Sequence, residues 1–450
     1  MNKVLKYIFL GLALLLGAYA TLRTWDFYLW KVPILTSKTL WILALVIAGL
    51  LWTAFKSSKE TKFKLFLVAA SFILLEVLLQ IMALAGILPG VNTKYKCPYA
   101  RVYWSAEGRG NSIRNSAGWY YPEFDLHASN RIAVIGDSFV EAAEVHRTRN
   151  HAALLNGLIR QRSPQSAVMA FGMHGCCPAQ HLETLEYAHR HFQPTEVLLY
   201  LYLGNDVSES LPELNYTPPD NYVYYNVDEQ NRLVLNPASG PALQRFRDSL
   251  EYSHKPFGYW ATTLVSSHWM TLQALESVGD KLKQRKTAAQ IQARLAQAGR
   301  TDAVSHEMGV MGLNPAPFAV NRSPEVVKAM KILERELERC QEICNGYGMR
   351  FRLVTIPGFP ARFYESQHGK NWSSKLGDYD YLLPERELTA WAKTRNIDLF
   401  ALGNFLQTQN LPVEEIRAMY HGQGTGHFTE KGHQICSEAV FQAFYQNQPR

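Results

Sequence analysis

Charge is scarce in this 450-residue chain: 19% of residues are Asp, Glu, Lys or Arg, and the formal balance is +7. That balance is modest for the length. No dense Lys/Arg stripe interleaved with aromatics is present and no zinc-finger spacing either, so nothing favours a nucleic-acid partner. No internal repeat stands out. Cysteines number six, too few and too oddly placed to make a disulfide framework legible. Cys340 and Cys344 share a helical stripe with Val326, Met330, Leu333 and Leu337, which marks them as core thiols rather than metal ligands. Cys176 and Cys177 are adjacent and vicinal pairs rarely bridge each other, which leaves pairing of either with Cys97 open.

Apolar residues make up 47% of the chain, unevenly spread. Three long apolar runs, 4–22, 39–55 and 65–88, crowd the first fifth of the sequence. Each approaches the roughly 20 residues a helix needs to cross about 30 Å of hydrocarbon. Residues 1–88 are therefore expected to form a three-helix transmembrane anchor. A cleaved signal peptide is the alternative for the first run, with Lys3 and Lys6 as its basic end. Two further spans and the lack of a small-x-small cleavage site weigh against it. Glu76 and Gln80, one turn apart in the third run, mark either a contact with a partner or a pair satisfied inside the three-helix cluster. Lys3, Lys6, Lys56, Lys59, Lys62 and Lys64 flank one side of the spans, against Arg23, Lys31 and Lys38 on the other. That bias puts the amino end inside and everything after residue 89 outside the cytoplasm, which in a bacterium means an inner-membrane protein with a periplasmic or extracellular domain.

After a linker and leader at 89–130, residues 131–450 alternate strand-like and helix-like segments. Segments 131–135, 166–171, 196–203, 350–356 and 397–400 read as short buried strands, and 148–162, 179–192, 323–345, 384–395 and 430–445 as helices. Ser323 caps the third of these helices, Pro324 occupies its first turn, and Asn345-Gly346 ends it. Near-continuously apolar strands separated by helices predict a parallel sheet covered on both faces, with a ligand site beyond the strands' carboxyl ends. Residues 209–322 interrupt the pattern as an insertion. Its basic stretch 280–300 reads as a solvated helix face, with anionic polymer or lipid headgroups as the alternative contact.

Four segments carry chemistry. The strand RIAVI runs straight into Gly136-Asp137-Ser138-Phe139, a strand-to-helix turn that suits a nucleophile needing oxyanion donors. Gly172-Met173-His174-Gly175 follows the next strand and offers a backbone N–H. Gly204-Asn205-Asp206 follows the third, and the Asn205 amide is another donor. Gly426-His427-Phe428-Thr429 precedes a helix that Thr429 is placed to cap. Asp137 reads as a turn acceptor and Asp206 as a brace for the Asn205 loop. His174 and His181 read as site-lining or surface groups, and His433 as a packed residue of the closing helix. Cys177 lacks the strand–turn–helix setting of Ser138.

The order and spacing of these blocks, with the leader Ile113-Arg114-Asn115-Ser116-Ala117-Gly118, resemble the SGNH/GDSL hydrolase superfamily over roughly 110–210 and 323–445. The resemblance implies a flavodoxin-like three-layer α/β/α domain that hydrolyses or transfers ester-linked acyl groups, with no metal or organic cofactor. It implies Ser138 as nucleophile, His427 as general base, and the Ser138 N–H, Gly172 and Asn205 as the oxyanion hole.

One member is missing. The family's acid stands two or three residues before the histidine, where this chain has Thr425 and Gly424. Neither carries the charge that orients an imidazole and supports its protonated form. Two functions therefore compete. One is a membrane-anchored esterase or O-acyltransferase acting on an acylated small molecule or a cell-envelope glycan, beside a membrane acyltransferase or polysaccharide-assembly partner. The other is a catalytically silent glycan-binding or assembly subunit that keeps the fold.

Overall fold

The computed structural model describes residues 58–84, 96–104, 107–215, 222–268, 316–358, 379–422 and 426–447. Two units divide the chain, 1–78 and 79–450. The first contributes most of helix α1 (Lys59–Leu84). Among the described residues no helix is long and apolar enough to cross a membrane. The expected spans 4–22 and 39–55, the basic stretch 280–300, and Gly424 and Thr425 all lie outside the described residues.

Within the second unit, strands β1 (Arg101–Trp104) and β2 (Gly110–Ile113) form an antiparallel hairpin that pairs Trp104 with Gly110. The central sheet then begins with β3 (Asn130–Gly136), which runs into the four-residue helix α2 (Ser138–Glu141). Helix α3 (His151–Arg162), β4 (Ser166–Gly172), α4 (Pro178–Phe192), β5 (Glu196–Tyr202) and the short α5 (Asp206–Glu209) follow. The expected insertion contains hairpin β6 (Tyr225–Val227) and β7 (Leu233–Leu235), then α6 (Gly240–Leu250) and α7 (Phe257–His268). Helix α8 (Pro324–Gly346), β8 (Arg350–Ile356), α9 (Leu383–Thr394), β9 (Asp398–Ala401), α10 (Leu402–Thr408) and α11 (Glu430–Phe444) complete the domain.

The five-stranded sheet has the order β4-β3-β5-β8-β9, every neighbouring pair parallel. In order of appearance this is 2-1-3-4-5, the flavodoxin-like doubly wound arrangement, whose direction reverses between its first and third strands. Strand side chains alternate between two cores. Ala133, Ile135, Met169, Phe171, Val197 and Leu199 face the helices α4, α8 and α9. Ile132, Val134, Val168, Ala170, Leu198 and Tyr200 face α3, α10 and α11. Burial on both faces is why the strands read as continuous apolar runs rather than as alternating patterns. Ser323 caps α8 by accepting from the Val326 N–H, and Pro324 takes the first turn, as the sequence predicts.

The structure answers the open cysteine question and corrects the reading of His181. All six cysteines are buried free thiols, so Cys97 bridges neither Cys176 nor Cys177. Gln80, near the end of α1, accepts from Arg101 Nη1 at 2.8 Å and donates to the His268 carbonyl at 3.2 Å. Among the described residues, its polar group thus meets β1 and α7. His181 is buried in α4 rather than lining the site, and burial holds its pKa down at about 3.

Candidate active site

Three strands of the parallel sheet end at one rim, and each delivers a group. Ser138 follows β3 as the first residue of α2, with Asp137 capping that helix by accepting from the Phe139 N–H at 2.9 Å. Unlike its buried neighbours Asp137 and Phe139, Ser138 is partly exposed, so its hydroxyl reaches solvent. Gly172 ends β4 pressed against α2. A Cβ there would lie 2.0 Å from the Glu141 nitrogen, which no side chain tolerates. Asn205 precedes α5 after β5. Asp206 braces that loop by accepting from the Tyr202 N–H at 2.8 Å. Tyr202 and Phe139 pack with ring centroids 4.2 Å apart, joining the first and third loops.

His427 arrives from the loop before α11. Its Nε2 lies 2.8 Å from Ser138 Oγ. Phe139 packs against its ring at 5.0 Å and Phe428 packs on Phe139, so the imidazole is held from one side by apolar contacts. The loop closes on itself, with the His421 N–H donating to the His427 carbonyl and the Gly426 N–H to the His421 carbonyl.

The acid absent before His427 is supplied from 320 residues upstream. Glu107, in the β1–β2 turn, places Oε2 2.6 Å from His427 Nδ1, and the same oxygen accepts the His427 backbone N–H at 3.0 Å. One carboxylate oxygen thus fixes both the ring and the main chain that carries it. Gly108 makes this reach feasible. It adopts φ +64, and a Cβ there would meet the Glu144 carbonyl oxygen at 2.4 Å. With the Arg109 N–H donating to that same carbonyl at 3.0 Å, the hairpin turn is docked on the segment just after α2. Sequence reasoning missed Glu107 because it lies outside the blocks that carry the resemblance. The available signal was Glu107-Gly108-Arg109-Gly110, an acid followed by alternating glycines between two β-prone runs.

Electrostatics follow this geometry. Burial pulls the His427 pKa down, but the hydrogen bond to Glu107 and the charges of Glu144, Glu107 and Asp137 outweigh it and hold it at about 9. Burial pushes Glu107 up, yet its bond and charge interaction with His427 bring it to about 2. The two opposite shifts describe one ion pair seen from either side, each favouring the charged form. Burial raises Asp137, and the Phe139 N–H, His427, His174 and the Asn205 amide temper that rise. The Asn205 side-chain oxygen is buried without a hydrogen-bond partner. His174 is exposed beside the triad, its ring 6.2 Å from that of His427. His433 is fully buried in α11, its Nε2 3.0 Å from Glu144 Oε1. Cys176 and Cys177 are buried, and burial drives both thiols well above their usual range, which removes them as nucleophiles.

Among the described residues one cluster has metal-ligand spacing, His191, Glu251 and His254, at the far end of α4 from Ser138. An open groove of about 800 Å³ between α4, α6, α8 and the β6–β7 hairpin contains none of Ser138, His427 or Glu107. Its charged walls are largely paired internally, for example Arg247 with Glu183 and Arg335 with Glu342.

No family profile matches the chain, and no curated protein matches it. Among solved structures, similarity extends to the crystal structure of TesA, at 12% identity over 70% of this chain and 98% of that one, with a TM-score of 0.32. The acetyl xylan esterase AlAXEase follows at 9% identity, 70% and 99% coverage and TM-score 0.32. A lipolytic protein of the G-D-S-L family from Veillonella parvula follows at 10% identity, 71% and 100% coverage and TM-score 0.30. Likeness at this level carries no argument of its own, so the fold rests on the sheet order and the chemistry on the distances above.

Proposed function

We propose that this chain is a serine esterase or O-acyltransferase whose catalytic unit is Ser138–His427–Glu107. The observation that supports it is the continuous hydrogen-bond chain from Ser138 Oγ to His427 Nε2 at 2.8 Å and from His427 Nδ1 to Glu107 Oε2 at 2.6 Å. Nucleophile, base and orienting acid in this order are the arrangement that activates a serine hydroxyl. In the proposed cycle Ser138 Oγ attacks the ester carbonyl and its proton passes to His427 Nε2. The carbonyl oxygen becomes an oxyanion facing the Ser138 N–H, Gly172 and Asn205. Collapse expels the alcohol, which takes the proton back from His427. Water or an acceptor hydroxyl then attacks the acyl-serine by the same route. The silent-subunit reading had two grounds, a missing acid and the three-span anchor, and Glu107 speaks against the first.

The test is direct. Full-length protein in lipid nanodiscs is expected to hydrolyse a short-chain aryl ester and to be labelled at Ser138 by a fluorophosphonate. Folded protein that does neither would sink the proposal.

The setting we propose is an inner-membrane anchor formed by residues 1–88, with the catalytic domain on the periplasmic or extracellular side and an acylated cell-envelope glycan as substrate. A membrane acyltransferase is the partner that would fit. Support comes from the three apolar runs and the lysine bias around them. An alkaline phosphatase fused after Arg450 is expected to be active. An inactive fusion, with a cytoplasmic reporter active at the same position, would reverse the topology.

A further inference from the structure

A lysine is among the residues least often fully buried, because its ammonium must find partners inside. Lys96 is only 1% exposed. Its Nζ donates to the Gly172 carbonyl at 3.0 Å and sits 4.0 Å above the Trp119 ring. A methionine or leucine would cover Trp119 without the desolvation cost, so what the amine adds is its charge over the ring and the bond to Gly172.

The other side of the same turn is held by the opposite charge. Glu141, buried at the end of α2, accepts the His174 N–H on Oε2 at 2.8 Å and the Arg114 guanidinium on Oε1 at 2.8 Å. Between them, the Met173 N–H donates to the Gly136 carbonyl at 3.2 Å. Two consecutive peptides are thus pinned: 172–173 at both its carbonyl and its N–H, and 173–174 at its N–H, each with one bond to a buried charged side chain. Such a pin is strong because charge-assisted bonds in a dry site are worth roughly twice neutral ones. Gly172 is where it matters. It has no side chain of its own to hold it, so these bonds, the β3–β4 ladder and the close contact with α2 fix its backbone.

We infer that Lys96 is a positioning residue for the oxyanion hole: by holding the Gly172 carbonyl it fixes the 172–173 peptide, and so anchors the Gly172 Cα from which the N–H of the preceding peptide is offered to the developing oxyanion, with Glu141 fixing the next peptide through the His174 N–H. Burial and the neighbouring Arg114 pull the Lys96 pKa down to about 7, against Glu141 and Cys176. Both protonation states carry N–H donors, so the bond survives that change. The inference rests on the esterase reading above.

The test compares kcat and KM for an aryl ester, and the rate of fluorophosphonate labelling, in the full-length parent, Lys96→Met and Lys96→Gln. Methionine removes the donor, and glutamine, which has the same reach as methionine and one atom less than lysine, keeps a neutral N–H. Lys96→Met is expected to lose roughly tenfold to a hundredfold in kcat and in labelling rate with KM within about twofold, the size expected of a misplaced catalytic group. Lys96→Gln is expected to recover to within about fivefold of the parent, since a neutral hydrogen bond replaces a charged one. A folded Lys96→Met within about threefold of the parent overturns the inference, as does a loss confined to KM or a folded Lys96→Gln as slow as Lys96→Met. Should Lys96→Met not fold, Lys96→Gln decides alone, and a kcat more than about twentyfold below the parent overturns the inference. A parent with neither hydrolysis nor labelling is a different failure, of the esterase reading itself, and the positioning role falls with it.

Discussion

Replacing Glu107 by Gln is expected to lower kcat by about a thousandfold and leave KM within about threefold. The argument starts from tautomer and charge. Glu107 Oε2 faces two donors, the His427 ring Nδ1–H and the His427 main-chain N–H. A glutamine can satisfy these with its oxygen, but its NH2 can equally turn toward the ring and fix the wrong tautomer. It also withdraws the charge that supports the imidazolium. Loss of a fully buried acid in such a triad costs about 10⁴ in kcat. The Glu107 side chain keeps 31% exposure, so solvent screens part of its effect and the expected loss is smaller. A loss of less than about tenfold would show that Glu107 is not the orienting acid.

The same substitution changes the pH profile. His427 must be neutral to take the Ser138 proton, and its pKa is held at about 9 mainly against burial by Glu107 and the other nearby carboxylates. In the parent, kcat/KM is therefore expected to climb as pH rises toward 9. In Glu107→Gln the limb moves down toward the ordinary histidine value while the plateau falls. Stability runs the other way. The raised His427 pKa contributes stability fully present below its ordinary 6.5 and lost as pH rises through about 9. The lowered Glu107 pKa contributes stability present above its ordinary 4.5 and lost as pH falls through about 2. The ion pair is thus complete in mildly acid solution, whereas catalysis is favoured at the alkaline edge where it weakens.

How much of this was legible in the sequence depends on sequence distance. The strands Asn130–Gly136, Ser166–Gly172 and Glu196–Tyr202 were readable because burial on both faces makes them uniformly apolar. The four blocks at their carboxyl ends were readable because each loop directly follows its strand. The β1–β2 hairpin was not. Its strands are four residues each, too short for a period-2 signal, and Glu107 is separated from His427 by most of the domain. Lys96 was hidden for a different reason. Nothing local distinguishes a lysine that folds over Trp119 and onto Gly172 from an exposed one. Asp137, Asp206 and His433 hold the structural positions read for them, since a cap, a loop brace and a helix interior are set by neighbours in sequence.

Replacing Ser138 by Ala is expected to remove ester hydrolysis to about one part in 10⁵–10⁶ of the parent kcat, the largest effect of any single change in the chain. The hydroxyl is the nucleophile in the proposed cycle, and the buried groups beside it are poor substitutes. Asp137 is buried and engaged as the α2 cap, and burial drives the thiols of Cys176 and Cys177 well above their usual range. The fold is expected to be untouched. The α2 cap belongs to Asp137, and the Ser138 hydroxyl's bond to His427 lies at a partly exposed site. What remains in the variant is water attack assisted by the oxyanion hole, which is why the rate does not fall to that of free solution. The decisive comparison is the double variant Ser138→Ala with Glu107→Gln. Residues that act as one unit are non-additive, so the double variant is expected to be no slower than Ser138→Ala alone. A further loss of about a thousandfold in the double variant would mean that Glu107 supports hydrolysis by a route that does not pass through Ser138. A Ser138→Ala protein as fast as the parent would assign the activity to another residue altogether.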